Sequence, residues 1–298
     1  MKIPTINILI GLPGSGKSRY AETLSSNENI EWLSSDGIRE ELFGDASIQD
    51  NPDQVFTLMK NRALEALSIG KDVIYDATNI TRKSRASIIN ALPRYVKLIA
   101  TVVWADIETC IERDKSRDRV VGREVIDKML KRFQAPYYDE GFDEIKIIYN
   151  NNEDFSSNKY VTSCLQAMKI PHDNKHHTLN IYEHSMAALK YLEDKGYDAW
   201  NSIYWAAKYH DVGKPYVKKF INSKGEATEE AHYYSHQCVG AWMSYGIFND
   251  LVFYFNVEIA WLISSHMDPY LNTKYYKNMP KVFKNKVDLL HEADRNAH

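Results

Sequence analysis

Apolar and β-branched residues cluster in five short runs over the first 150 positions: INILI (6–10), IEWLSSD (30–36), DVIYDAT (72–78), VKLIATVVWAD (96–106) and EIKIIYN (144–150). Between them the spacing becomes helical, as in NPDQVFTLMKNRALEALSIG (51–70) and VIDKMLKRF (125–133). Alternation of this kind predicts a parallel sheet covered by helices on both faces. The polar stretch NNNEDFSSNK (150–159) then breaks the pattern. Beyond it extended runs stop and helical patterns take over: TLNIYEHSMAALKYLED, DAWNSIYWAAKYHD, SHQCVGAWMSYG, NVEIAWLISSH and PKVFKNKVDLLHEAD. The chain is therefore expected to hold an α/β domain over 1–150, a linker over 151–170 and an all-α domain over 171–298.

Length and composition agree with two ordinary globular cores: 298 residues, 44% hydrophobic and 26% charged. A net charge of −3 advertises no global attraction to nucleic acid. Cys110, Cys164 and Cys238 form no CxxC pair and read as reduced core thiols of a cytoplasmic protein. The first apolar run is too short to span a membrane and is expected to be a core strand, not a signal peptide.

The turn after that run carries the first chemistry. In GLPGSGKS, Gly11, Gly14, Gly16, Lys17 and Ser18 fit G-x-x-x-x-G-K-[ST], with Ser15 inside the loop. Such a loop turns backbone N–H groups onto phosphate oxygens, aims its lysine at the β- and γ-phosphates and offers its hydroxyl to Mg²⁺. A strand before it and a helix after it would set the anion on a helix N-terminus. The expected ligands are ATP or another nucleoside triphosphate, and Mg²⁺.

Candidates for the other side of a phosphoryl transfer follow. Ligands of open α/β sheets bind beyond the carboxyl ends of strands. In SSDGIREEL, Asp36 is expected at such an end, where a carboxylate can take a proton from an attacking hydroxyl, and Arg39 can pair with a phosphate on the acceptor. The bland alternative is a helix N-cap with a solvated arginine. In YDATN, Asp76 could orient Arg39 or the Mg²⁺ shell, or satisfy a turn. Residues 113–132 hold eight Lys/Arg against four acids. That imbalance suits a lid over a triphosphate better than a solvated helix face.

GLPGSGKS, SSDGIRE, YDATN and ERDKSRDR together resemble the kinase domain of the T-even phage polynucleotide 5′-kinases, in order and spacing, over roughly residues 5–135. Zeta-type toxins and other small P-loop kinases share part of this. The resemblance implies that Asp36 is the base for a 5′-hydroxyl, that Arg39 holds the neighbouring phosphate, that Asp76 is the D-x-T-N aspartate, and that Arg117, supported by Arg113, contacts the ATP phosphates.

The ten histidines all fall after residue 170. His184, His210, His236, His266 and the aspartates Asp211 and Asp294 lie on, or at the ends of, successive helical patterns. Imidazole and carboxylate together suit Mn, Fe, Ni, Co or Zn, and helical bundles build such sites from facing helices. His232 competes as a ligand, while His176, His177 and His291 read as structural or solvated. The order His…His-Asp…His…His…Asp resembles the HD phosphohydrolase superfamily. That resemblance implies that His184, His210, Asp211 and Asp294 hold one metal, that His236 and His266 extend the site to a second across Asp211, and that Lys214 stabilises a bound phosphate. This half has 15 Lys and one Arg, with Lys and aromatics interleaved at 214–224 and 274–286. Such interleaving suits a nucleic-acid strand or, nearly as well, a solubilising surface.

Taken together these features imply an enzyme that heals nucleic-acid ends, RNA rather than DNA. One half would phosphorylate a 5′-hydroxyl, the other would clear a 3′-phosphate or a 2′,3′-cyclic phosphate, and a separate ligase would act downstream. The second half lacks the D-x-D-x-T of the T-even phosphatase. A small-molecule kinase fused to a nucleotide-hydrolysing HD domain is the alternative, and a nucleotide-gated binding or toxin-like module a further one.

Overall fold

The protein is seen in a computed structural model that describes residues 2–117, 119–174, 178–249 and 253–297, with backbone alone at 253 and 254. His176, His177 and Asp118 lie outside the described residues. The chain divides into two compact units, Met1–Asp127 with Pro136–Asn152, and Lys128–Ala135 with Glu153–His298.

The first unit runs β1 (Thr5–Ile10), α1 (Lys17–Ser25), β2 (Ile30–Ser34), α2 (Ser35–Phe43), α3 (Pro52–Ser68), β3 (Asp72–Asp76), α4 (Arg82–Ile89), β4 (Lys97–Trp104), α5 (Ile107–Lys115), α6 (Arg123–Leu130, crossing into the second unit by sequence) and β5 (Glu144–Tyr149). The five strands form a parallel sheet in the order β2-β3-β1-β4-β5, the P-loop NTPase-like arrangement. Ile6, Ile8, Leu9 and Ile10 are all fully buried, as a central strand with both faces covered requires. The register aligns Leu9 of β1, Asp76 of β3 and Ser34 of β2 at their carboxyl ends. The loops after three neighbouring strands therefore open side by side, where a ligand of such a sheet binds.

One sequence expectation shifts here. β2 stops at Ser34, and Asp36 lies in the first turn of α2 rather than at a strand end. Ser34 is the N-cap, its hydroxyl accepting the Gly37 N–H, so Asp36 is freed from capping.

The second unit holds α7 (Ser157–Ala167), α8 (Ile181–Asp194), α9 (Ser202–Tyr209), α10 (Lys214–Val217), strands β6 (Lys219–Ile221) and β7 (Ala227–His232), α11 (His236–Ile247), α12 (Phe253–Ser265), α13 (Asp268–Leu271), α14 (Lys274–Lys277) and α15 (Lys281–Arg295). α8 packs on α9 and α15, α9 on α12, and α11 on α12 and α7. Trp242 and Trp261 are fully buried in this helical core, Trp242 against Phe133 at 5.1 Å between ring centres. Two features depart from the sequence expectation. The stretch expected as a linker carries α7, capped by Ser156 and buried at Cys164. The helical half also contains the antiparallel β6–β7 hairpin, closed where Asn222 donates its N–H to Glu226 and Gly225 takes φ +86°.

A buried ion pair ties α4 to the segment before β5. Arg85, with no exposed surface, donates Nε and Nη2 to the Glu140 carboxylate at 2.7 Å each and Nη1 to the Asn79 carbonyl at 3.0 Å. Removing Arg85 leaves the buried Glu140 carboxylate with Arg82 at 3.7 Å in place of a two-pronged partner. Arg85→Ala should cost about 3–5 kcal/mol in urea unfolding. Arg62→Ala, which breaks the exposed Arg62–Glu41 pair, should cost under about 1 kcal/mol.

Candidate active sites

The loop from Gly11 to Ser18 leads from β1 into α1. Gly16 takes φ +93°, and a Cβ there would lie 1.9 Å from Nδ2 of Asn150, which donates to the Ser15 carbonyl. Only glycine allows both the turn and this approach. Lys17 is buried and its ammonium donates to the carbonyls of Gly11 and Leu12, both at 2.9 Å. Burial lowers its pKa, with Asp76 opposing that shift. The Ser15 hydroxyl is buried with no hydrogen-bond partner among the described residues. A cationic, glycine-lined loop with an unsatisfied hydroxyl fits an anionic phosphate.

Asp76 stands beside this loop. Its Oδ2 accepts from the Ser18 hydroxyl at 3.0 Å and from the Trp32 indole N–H at 3.4 Å. Burial raises its pKa against the pull of Lys17. These partners group Asp76 with Ser18, while Arg39 turns to Asp36 and the Ser35 carbonyl instead. A P-loop of this kind implies a nucleotide and Mg²⁺.

Asp36 faces a pair of arginines. Its Oδ1 lies 3.2 Å from Nη1 of Arg39 and 2.9 Å from Nη1 of Arg119. Arg39 is buried, lies over the Phe56 ring and also donates to the Ser35 carbonyl at 3.1 Å. Arg113 is held by Asn150 and Asn152, and the charge of Arg117 acts on Lys17. Arg119 belongs to the basic stretch, but no spacing rule separates it there from its seven basic neighbours.

In the second unit seven of the residues expected from sequence converge. His184 sits in the first turn of α8, not mid-helix, and its Nε2 lies 2.8 Å from Asp294 Oδ1 on α15 and 3.7 Å from Asp211 Oδ2. His210 Nε2, just past α9, lies 3.3 Å from both carboxylates. His236, first residue of α11, reaches Asp211 Oδ1 at 3.3 Å and His266 Nε2 at 3.0 Å. Lys214 Nζ lies 2.7 Å from Asp211 Oδ2. The outer ring nitrogens of His210, His236 and His266 are fixed by backbone carbonyls of Ala207, Tyr233 and Ile263, as metal-ligating imidazoles are oriented. Gly213 makes this meeting possible: a Cβ there would fall 2.2 Å from the His236 carbonyl oxygen.

Two groups, His184–His210–Asp211 and Asp211–His236–His266, each bring ligand atoms within 4.8 Å of one another and could hold a metal ion, with Asp211 common to both. Burial opposes charge on Asp211, but His210 and Lys214 hold its carboxyl well below the usual range. Burial also opposes charge on His210, yet Asp211 and Asp294 carry its pKa upward. The two carboxylates thus favour a positive charge at this spot, as a proton or as a cation. Burial, then His236 and His210, push His266 down to about 3, leaving it a neutral donor.

A cavity of about 700 Å³ opens over the cluster, walled also by Tyr233, Tyr234, Tyr270 and Arg295. His232 is outside both groups; it stacks on Tyr234 beyond the end of β7. His291 packs against Tyr270. His172 joins the site without a sequence signal: its Nε2 lies 3.2 Å from Lys214 Nζ while its Nδ1 meets the Leu179 carbonyl. It precedes α8 in irregular chain, where no periodicity marks it.

Residues 6–136 match the family model of an AAA domain, and residues 181–295 that of the HD domain. The chain pairs a kinase-like P-loop domain with an HD domain. Those two halves make it an enzyme. The Arabidopsis thaliana protein named Transcription factor bHLH140 is 26% identical over 151 residues, 48% of this chain and 16% of that protein. Among solved structures, a chain of the Pnkp1/Rnl/Hen1 RNA repair complex is 24% identical, with a TM-score of 0.40, over 44% of each chain. A gluconokinase from Sinorhizobium meliloti 1021 is 15% identical with a TM-score of 0.36, over 52% of this chain and 86% of that one. The chain thus spans about a sixth of that curated relative and under half of that repair-complex chain. No helix among the described residues is long and apolar enough to cross a membrane.

Metal analysis tests the shared carboxylate. Asp211→Ala protein should purify with less than about a tenth of the wild-type divalent metal, because both ligand groups lose a member. His232→Ala should retain the wild-type content. Equal metal in wild type and Asp211→Ala would show that the cluster is ordinary core packing.

Proposed function

We propose that this chain is a bifunctional nucleic-acid end-healing enzyme. The first unit acts as an ATP-dependent 5′-hydroxyl polynucleotide kinase. The second acts as a metal-dependent phosphoesterase on 3′-phosphate or 2′,3′-cyclic phosphate ends. RNA ends are the substrate, as in tRNA repair, a separate ligase consumes the product, and the setting is the cytoplasm of a bacterial or phage-infected cell. The observation that carries the kinase reading is Asp36, a half-exposed carboxylate flanked by two arginines, in the same unit as the Lys17 loop.

In this reading the acceptor's 5′-oxygen forms a bond to the γ-phosphorus as the bond to the β-phosphate oxygen breaks, ADP leaves, and Asp36 takes the hydroxyl proton. Lys17 and Arg117 neutralise charge on the transferring group. Arg39 pairs with a phosphate already on the acceptor. Ser18 and Asp76 would hold Mg²⁺.

In the HD unit the residues that would hold one or two of Mn, Fe, Co, Ni or Zn are His184, His210, Asp211, His236, His266 and Asp294. When bound, such a metal supplies Lewis-acid polarisation of a phosphate ester. Lys214, fixed between Asp211 and His172, stabilises negative charge on that ester. Tyr233, Tyr234 and Tyr270 give the cavity aromatic faces on which a base can stack.

An end-labelling assay tests both halves on one substrate, an RNA with a 5′-hydroxyl and a 3′-phosphate, with ATP, Mg²⁺ and a panel of divalent metals. Lys17→Ala and Asp36→Ala should each lose at least about 100-fold in 5′-phosphorylation, as loss of transition-state charge stabilisation or of a general base does, and keep 3′-end hydrolysis. Asp211→Ala should do the reverse. Phosphorylation of free nucleosides but not of the RNA would favour a small-molecule kinase.

A further inference from the structure

Arg119 touches Asp36, yet the kinase mechanism above gives it no role. It lies on the segment between α5 and α6, and that segment is fixed at its far end. Asp114, buried, accepts the N–H groups of Val121 at 3.0 Å and Gly122 at 2.8 Å. Asp114 thus anchors the chain two and three residues after Arg119, whose guanidinium lies 2.9 Å from Asp36.

Both guanidiniums meet the same oxygen. Arg39 Nη1 and Arg119 Nη1 converge on Asp36 Oδ1, and among the described residues Oδ2 has no hydrogen bond. A carboxylate pinned through one oxygen presents the other in a set direction. Two cations converge on this one carboxylate, with the charge of Asp45 also acting on Arg119, and a phosphate can pair with both guanidiniums. Arg39 is too buried and too engaged to move, its side chain 8% exposed, whereas that of Arg119 is 29% exposed and that of Asp36 46%. The side facing water is the side from which an acceptor must arrive.

We propose that Arg119 is a second ligand for the acceptor's phosphate: with Arg39 it brackets the phosphate next to the reacting sugar. This rests on the reading of Asp36 as the base of a 5′-kinase. It narrows the acceptor to one with an anionic 3′-phosphate or phosphodiester on the nucleoside that is phosphorylated, since one neutral sugar cannot satisfy two guanidiniums. Arg119 thereby differs in role from Arg117, whose charge acts on Lys17 at the nucleotide.

The test is a steady-state comparison of wild type, Arg119→Ala and Arg119→Lys with three acceptors: a 5′-hydroxyl oligonucleotide, the same oligonucleotide with a neutral methylphosphonate at the first linkage, and a free nucleoside. Arg119→Ala should raise KM for the natural oligonucleotide by about tenfold or more, as loss of a charge-assisted hydrogen bond does. KM for ATP should stay within about twofold, and Arg119→Lys should recover part of the loss. On the methylphosphonate, Arg119→Ala should cost little beyond what wild type already loses, because the partner charge is gone. Wild type should use the free nucleoside poorly. Equal, additive penalties on the two linkages would overturn the proposal. So would a raised KM for ATP with acceptor KM unchanged, which would assign Arg119 to the nucleotide. If Asp36→Ala phosphorylates the oligonucleotide at the wild-type rate, the kinase-base reading itself fails, and the proposal falls with it for that separate reason.

Discussion

One buried carboxylate organises the HD half. Asp211 is 1% exposed, and a charge removed from water that far costs several kcal/mol unless partners replace the solvent. Its partners come from different parts of the chain: His184 from α8, His210 from the end of α9, Lys214 from α10 and His236 from the start of α11. Asp294 from α15 shares His184 and His210. The helices need not meet at their ends to bury apolar surface; the carboxylates require that they do. Gly213 supplies the missing clearance, letting the turn after Asp211 press against the backbone of α11.

The first unit solves the opposite problem. There the buried charge of the phosphate loop is a cation, Lys17, and loop carbonyls rather than carboxylates are its nearest partners. Carbonyl dipoles hold an ammonium without neutralising it, so the loop keeps a positive field for an anion. Asp76 moderates that field from one side while its oxygen is occupied by Ser18. The register of β1, β2 and β3 makes this possible, because it brings their three carboxyl ends level before any side chain is placed.

What is legible in the sequence follows from this contrast. The phosphate loop is local: its glycines, lysine and serine act within eight residues, so spacing alone marks it, together with the strand and helix around it. The histidine–aspartate cluster is not local; imidazoles at the ends of apolar helices suggest a metal site, and it is the resemblance of their order to the HD superfamily that groups them. Three kinds of feature stay hidden. Asp36 reads as a strand-end residue, but Ser34 takes the cap and moves it into a helical turn, a difference of two residues that periodicity does not resolve. Arg119 is one of eight cations, and only the fold of the 116–122 segment distinguishes it. α7 and the β6–β7 hairpin lie in polar stretches whose apolar content is too low for periodicity to show; a serine cap marks the one and a turn closed by Asn222 and Gly225 the other.

Under the proposed function, the two aspartates at the centres of the candidate sites differ as proton transfer and metal binding require. A general base must exchange a proton with something that arrives and leaves, so it needs an open face and a free oxygen. Asp36 has an open face, its side chain 46% exposed, and both arginines gather on one of its oxygens. A bridging metal ligand must stay ionised and motionless whether or not substrate is present, so it needs enclosure by groups that penalise its protonation. Asp211 has that, its carboxyl held low by His210 and Lys214 despite burial. Were the surroundings exchanged, neither could do its own chemistry. A buried Asp36 could not release its proton to water, and an exposed Asp211 would leave His236 and His266 with no shared anion to converge on. The division of chemistry between the halves is thus set by solvent access around two residues of the same type.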